Sequence, residues 1–243
     1  MSMNSKGKNI GRLIRFSGFA LIAGAFGLFL WGYLARARFL EGPYLLIVEF
    51  LEDFQASVIS IENKWIIIIV LEMLFIIKGF IPGIPLPVLM LIPGAVFSMP
   101  IALLLNIGGL VLLVSVRYSY GYHHKKNVSG LLMRYEVIEK EISKGKDSNP
   151  LILFLLRFVP IFPVNQVSSV YGSMRFNYIN FVLLSMLGFT QKLIAYSIMG
   201  RHIYNPFTFA FSAPLFTIMI ISGLAMLGIH ALLKITKWSF VGS

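Results

Sequence analysis

The sequence predicts an all-α integral membrane protein. Its plan is an inverted repeat of a re-entrant helical hairpin plus a transmembrane helix, with extra N- and C-terminal transmembrane helices. Three observations predict this. The first is composition: 57% of the 243 residues are hydrophobic and 13% are charged, against roughly 25% charged in a soluble domain, and mean hydropathy is +0.81. The second is a pair of apolar segments of one design. Lys78-Gly79-Phe80-Ile81-Pro82-Gly83-Ile84-Pro85 leads to Gly94, and Arg157-Phe158-Val159-Pro160-Ile161-Phe162-Pro163 leads to Gly172. Each carries a cation, then Pro-x-x-Pro, then a glycine nine residues after the second proline. Repeated, proline-broken apolar segments are the sequence pointer to the binding site of transporters built from internal repeats. The third is the placement of basic residues along the chain.

Residues 1–15 form a basic tail with Lys6, Lys8, Arg12 and Arg15. The apolar run 16–34 has 19 residues, and Ala35-Arg36-Ala37 after it resembles a signal-peptidase site. A signal core is about 7–15 residues and a membrane span about 20, so the run reads as a retained span. Residues 35–63 hold Glu41, Glu49, Glu52, Asp53 and Glu62, half of the ten acids. Leu46, Ile47, Phe50, Leu51, Phe54, Val58 and Ile61 recur there at helical spacing, which predicts an amphipathic helix on the membrane surface.

Residues 64–99 are the first broken segment. Trp65 to Ile77 is apolar apart from Glu72. Pro82, Pro85 and Pro87 then stop the helix, since proline lacks the N–H and clashes with the preceding turn. Leu86–Val96 resumes as a half-helix. Ile101–Val116 is the core of a full span, with Asn106, Gly108 and Gly109 permitting close helix approach. Residues 117–148 form a polar loop with seven Lys/Arg and four Asp/Glu. Asn149–Gly172 is the second broken segment, and Asn180–Met199 is a span containing Gly188, Gln191 and Lys192. After a loop at 200–212, Pro214–Leu233 is the last span, followed by Lys234 and Lys237. The organisation is therefore an N-terminal part (1–63), a core with both broken segments (64–205) and a C-terminal helix with its tail (206–243).

Charge decides the topology. With the N-terminus cytoplasmic and both broken segments re-entrant, the inside carries thirteen Lys/Arg and the outside four: Arg36, Arg38, Lys64 and Arg201. A full crossing at 64–80 would export the most basic loop, against the positive-inside rule. Re-entrant hairpins on opposite faces follow, and with them an inverted repeat.

Other functions fit poorly. The net charge of +11 belongs to cytoplasmic loops and not to nucleic acid, for which there is no reading module. The absence of cysteine excludes disulfides and thiolate metal sites. Tyr118, Tyr120 and Tyr122 read as an aromatic belt, and His123-His124 lacks a third spaced ligand. No nucleophile triad, phosphate-binding glycine loop or carboxylate pair is visible, so no enzyme, metal or cofactor is expected.

Non-helical backbone cannot face lipid, because each unsatisfied polar group costs several kcal/mol. Asn149–Val159 would descend about 16 Å, half of a roughly 30 Å core. Both tips then meet near the midplane, with the N-termini of the returning half-helices offering N–H groups to an anion. Pro87 and Pro163 suit first turns. The expected substrate-binding set is Arg157, Pro160, Pro163, Asn165, Gln166, Ser169 and Gly172 from the second segment, with Lys78, Glu72, Pro82, Pro85 and Gly94 from the first. Arg157 and Lys78 either hold an anionic head group or cover the free carbonyls at their own helix ends. Glu72 either pairs with one of them or carries a proton. Asn165, Gln166, Ser168 and Ser169 predict a hydrated groove, which Gln191 and Lys192 also line. Arg175 reads as an interfacial, snorkelling cation.

Residues about 64–205 resemble the VTT-domain superfamily of bacterial DedA and SNARE-associated Golgi membrane proteins. The resemblance rests on Leu156 to Pro163, Tyr171-Gly172, Phe176, Phe181, Gly188 and Gly200, with Pro82-Gly83 and Pro93-Gly94-Ala95-Val96-Phe97 in the first repeat. It implies two re-entrant hairpins in inverted repeat, cytoplasmic termini and movement of lipid between leaflets. Family members scramble phospholipid or return undecaprenyl phosphate across the bacterial membrane. Two departures stand out: Ile84 replaces an acid typical of DedA proteins, and Pro163 replaces their second arginine. The chain is therefore more similar to the SNARE-associated Golgi branch, and proton coupling loses support. The expected function is a lipid flippase or scramblase with anionic head groups as partners, as a monomer or an oligomer. It is expected as a multi-pass protein of the cell membrane, in bacteria, or of Golgi or ER membrane in a eukaryote. A proton- or ion-coupled small-solute transporter and a non-transporting membrane organiser are the alternatives.

Overall fold

The computed structural model describes residues 15–28, 30, 49, 53, 56–57, 60–61, 63–81, 83–124, 150–159, 162–203 and 208–239. Most of the surface helix predicted within 35–63, the basic loop after His124, and Pro82 and Pro160 lie outside the described residues. All regular structure among the described residues is helical. Among the described residues, three helices are long and apolar enough to cross a membrane: Met99–His123, Tyr178–Gly200 and the Phe209–Gly228 stretch of the last helix. The chain is accordingly described as an all-α membrane protein.

Helix α1 is Arg15–Leu28, an apolar helix within the predicted first span. Helix α2, Lys64–Phe80, starts where the Asn63 side chain accepts the Trp65 N–H at 3.1 Å. It ends at the first Pro-x-x-Pro, with Ile81 already extended. Helix α3, Leu86–Val96, resumes from Pro85 as N-cap, with Pro87 in the first turn, where a missing N–H costs nothing. Helix α4 is Met99–His123. Helix α5, Pro150–Phe158, stops at the second Pro-x-x-Pro, and α6, Val164–Ser173, restarts from Pro163. Pro85 and Pro163 have almost one backbone conformation, φ −69 and ψ 123 against φ −71 and ψ 124. Pro163 is thus the N-cap rather than a residue of the first turn.

Arg175 closes α6 in the left-handed region, at φ 56, while the Phe176 N–H returns to the Tyr171 carbonyl at 3.2 Å. Helix α7, Tyr178–Gly200, is capped by Asn177. Helix α8, Phe209–Ser239, begins five residues before the expected Pro214. The Thr208 carbonyl accepts the N–H groups of both Phe211 and Ser212, so a first turn is secured before the proline interrupts the ladder.

The chain forms two compact units, Met1–Leu45 with Pro206–Ser243, and Leu46–Asn205. In the first, α1 meets α8 where Gly18 and Gly223 face each other, and Phe26 packs edge-on against Phe216 at 5.5 Å. In the second, α2 runs parallel to α4: Glu72 faces Gly108, Phe75 covers Gly109, and Gly79 reaches Val116. Helices α4 and α7 are antiparallel, since Asn106 bonds Ser197 at one end and Ser115 meets Tyr178 at the other. The returning helices cross over. Helix α3 packs on α7 through Gly94 and Gly200, and α6 packs on α4 through Gly172 and Gly121. A Cβ at Gly121 would overlap the Ser169 backbone and one at Gly172 the Tyr118 carbonyl, so the close approach requires glycine at both.

The descending arms are unequal. Helix α2 has 17 residues, about 25 Å, and α5 has 9, about 14 Å. The half-membrane descent expected of the second segment fits α5, whereas the arm of the first segment is longer.

Candidate functional site

A helix that stops inside a protein leaves up to four carbonyls without partners, and burial makes each one costly. The last carbonyls of α5 are met by donors from α7. Lys192 Nζ donates to the Arg157 carbonyl at 2.6 Å, and Gln191 Nε2 donates to the Phe158 carbonyl at 2.8 Å. At the end of α2, Asn165 Nδ2 donates to the Lys78 carbonyl at 3.2 Å and Arg117 Nη2 to the Phe80 carbonyl at 3.4 Å. Both broken ends are thus capped by neighbouring elements. The side chain of Arg157 does not perform that task, because its donors go to acceptors on α6 and α7, which corrects one of its two expected roles. The Asn165 bond also brings the start of α6 to the end of α2, so the two broken segments do meet.

Arg157 is 1% exposed. Its Nη1 donates to the Val164 carbonyl at 3.0 Å, Nη2 to Ser168 Oγ at 2.7 Å and Nε to Ser185 Oγ at 3.3 Å. The Phe181 and Phe189 rings lie 5.6 and 5.5 Å from Cζ. Gly188 makes this possible, because a Cβ there would strike the Arg157 Cβ. Lys192 is 7% exposed, and its Nζ stands 4.8 Å from the same Phe189 ring. Ser185, Gly188, Phe189 and Lys192 form one face of α7, at the helical period. That period was the signal for Ser185 and Phe189, which sequence reasoning missed.

Glu72 makes neither expected ion pair among the described residues. Its Oε2 is buried without a hydrogen-bond partner, and the carboxylate lies against Gly108. Helix geometry explains the absence of a pair with Lys78: six residues turn about 240° round α2, so the two side chains leave on different faces. Lys78 is itself buried. Among the described residues of 63–124 and 150–203, Glu72 is the only acid.

Two of the four polar side chains expected to line a groove, Ser168 and Ser169, are instead taken up by packing. Ser168 and Ser169 are buried, and each also donates to its own helix, to the Val164 and Asn165 carbonyls. Their burial follows from the glycine contact with α4. Asn165 and Gln166 remain half-buried. Pro85 and Pro163 are exposed at the tips, whereas Gly94 and Gly172 are helix contacts away from them. Pro82 and Pro160 are among the residues that are not described. Arg175 is exposed, with Cζ 5.0 Å from the Tyr122 ring.

Tyr118 departs from the expected belt. It is buried, and its hydroxyl donates to the Phe176 carbonyl, while Tyr120 and Tyr122 are exposed. The ring contacts Tyr178 and Phe181, so Tyr118 ties α4 to the start of α7. No protein-family model, curated protein or solved structure matches the chain.

Proposed function

We propose that the chain moves lipids with anionic head groups between leaflets, as a flippase or scramblase with a VTT-like core. One observation carries this reading: Arg157 is buried at a proline-broken helix end with no carboxylate partner among the described residues. A buried cation is costly unless paired, and a passing anionic head group is the partner that transport would supply.

The packing supports an inverted repeat. Each descending arm lies on the helix that follows its own hairpin, α2 on α4 and α5 on α7, while the returning arms exchange. The two N-cap prolines share a conformation, and Gly94 corresponds to Gly172, and Gly121 to Gly200, in the two copies. In this reading both hairpins are re-entrant, the termini are cytoplasmic, and the exposed prolines at the tips face a wet cavity within a cell membrane. Chemistry is unequal between the copies: Gly79 stands at the repeat position of Arg157, three residues before the first proline. Recognition therefore falls to the second copy.

The test is reconstitution into liposomes containing fluorescent phospholipid or polyprenyl phosphate. Wild type is expected to redistribute the lipid well above empty liposomes, and Arg157→Gln to lose at least tenfold of that rate. A folded wild-type preparation that moves neither lipid would refute the reading. Glu72 favours a second reading, a proton-coupled small-solute transporter, because its buried oxygen lacks a partner. That reading expects proton-gradient dependence that disappears in Glu72→Gln.

A further inference from the structure

Lys192 caps the Arg157 carbonyl. Capping does not need its charge. Gln191, one residue earlier, caps the next carbonyl with a neutral amide at 2.8 Å. Lysine at 192 instead puts a second cation against the ring that already faces Arg157: Nζ is 4.8 Å and the Arg157 Cζ 5.5 Å from the Phe189 centroid. Both side chains are more than nine-tenths buried, at 7% and 1% exposure. Two like charges in one apolar setting repel, and nothing negative among the described residues of 63–124 and 150–203 offsets them: Glu72, the sole acid there, faces Gly108 on α4.

Donor counting points the same way. A guanidinium has five N–H groups and an ammonium three. Protein acceptors take three from Arg157 and one from Lys192. That leaves two N–H groups on Arg157 and two on Lys192 beyond these bonds.

We infer that Lys192 is a second anion-binding residue, forming with Arg157 a two-cation seat for a phosphate group beside the Phe189 ring. The seat is closed in this conformation. An incoming phosphate displaces the Val164 carbonyl from Nη1 or the Arg157 carbonyl from Nζ, and either exchange loosens the broken end of α5. Binding and movement of the tip are thereby linked. The inference rests on the anionic-lipid reading for its ligand and adds to that reading the residue that sets charge preference.

The test uses the full-length protein in detergent micelles and two water-soluble probes, dihexanoyl phosphatidic acid and dihexanoyl phosphatidylcholine, titrated calorimetrically. Wild type is expected to prefer phosphatidic acid at least tenfold. Lys192→Gln, which keeps an N–H for the carbonyl but loses the charge, is expected to abolish that preference with little change in melting temperature. Lys192→Arg is expected to retain it. An unchanged preference in Lys192→Gln overturns the inference, as does weakening of both probes alike, the mark of a merely structural cap. Should Lys192→Gln not fold, wild type decides, because equal affinity for the two probes is incompatible with a two-cation seat. Failure of the transport reading is distinguishable. Lys192-dependent binding without lipid redistribution in liposomes sinks translocation and leaves the seat standing; redistribution without charge preference does the reverse.

Discussion

Arg157 shows how one side chain can be conspicuous in sequence and still have its surroundings hidden. Its place before Pro-x-x-Pro is local and legible. The acceptors Val164, Ser168 and Ser185 are not, because Ser185 lies 28 residues away and meets it only across a helix contact. Those acceptors sit round a planar fork that an ammonium cannot reproduce. Arg157→Lys is therefore expected to lower the melting temperature by several degrees and lipid redistribution at least tenfold, as measured on one purified preparation. Asn106 is the comparable residue in the first half. Its Nδ2 donates to both the Met90 carbonyl and Ser197 Oγ, each at 2.9 Å. Asn106→Ala is expected to cost about 1–3 kcal/mol through buried acceptors left without a donor. Asn106→Asp should be worse, since it puts a buried carboxylate against the Met90 carbonyl, which can only accept. Thermal unfolding in micelles reads both, and equal stability of the three proteins would contradict the assignment.

Element boundaries are legible in the sequence wherever local chemistry sets them. Proline and its fixed φ delimit α3, which spans Leu86–Val96 as the sequence expects. The start of α8 was misplaced because Pro214 marks an interruption there, and the turn secured by Thr208 precedes it. Glycine roles were the harder problem: Gly94 and Gly172 were assigned to the site by their repeated spacing, yet they serve contacts between helices. A consequence is directly measurable. Gly121→Ala and Gly172→Ala should each reduce the yield of monodisperse protein severely, since the added carbon overlaps backbone. Gly27→Ala and Gly228→Ala, with nothing within 4 Å of the new carbon, should be neutral or gain about 1 kcal/mol from helix propensity. Similar outcomes for all four would mean that the helix contacts are wrongly described.

The whole molecule combines a single acid, Glu72, among the described residues of 63–124 and 150–203 with basic residues concentrated in one loop. In the proposed topology, positive-inside bias places 117–148 in the cytoplasm, and the two broken segments enter from opposite faces. The chain has no cysteine, so single-cysteine labelling needs no background removal. A cysteine at Lys126 is expected to resist a membrane-impermeant maleimide in intact cells, and one at Arg201 to react. Labelling of Lys126→Cys from outside would overturn the proposed inverted arrangement and, with it, the meeting of two hairpins from opposite leaflets.

The sequence by itself determined the membrane class, the positions of the two broken segments and the cation before the second one. Hydropathy and proline act through composition and local backbone sterics, which need no knowledge of neighbours. Only the tertiary structure decided who satisfies the broken ends. The carbonyls of α5 go to Gln191 and Lys192, those of α2 to Asn165 and Arg117, and the guanidinium of Arg157 turns inward to two serines. Those partners are 28 to 87 residues apart in most cases, and hydrogen bonds between distant residues leave no period or spacing in the chain from which they could be read.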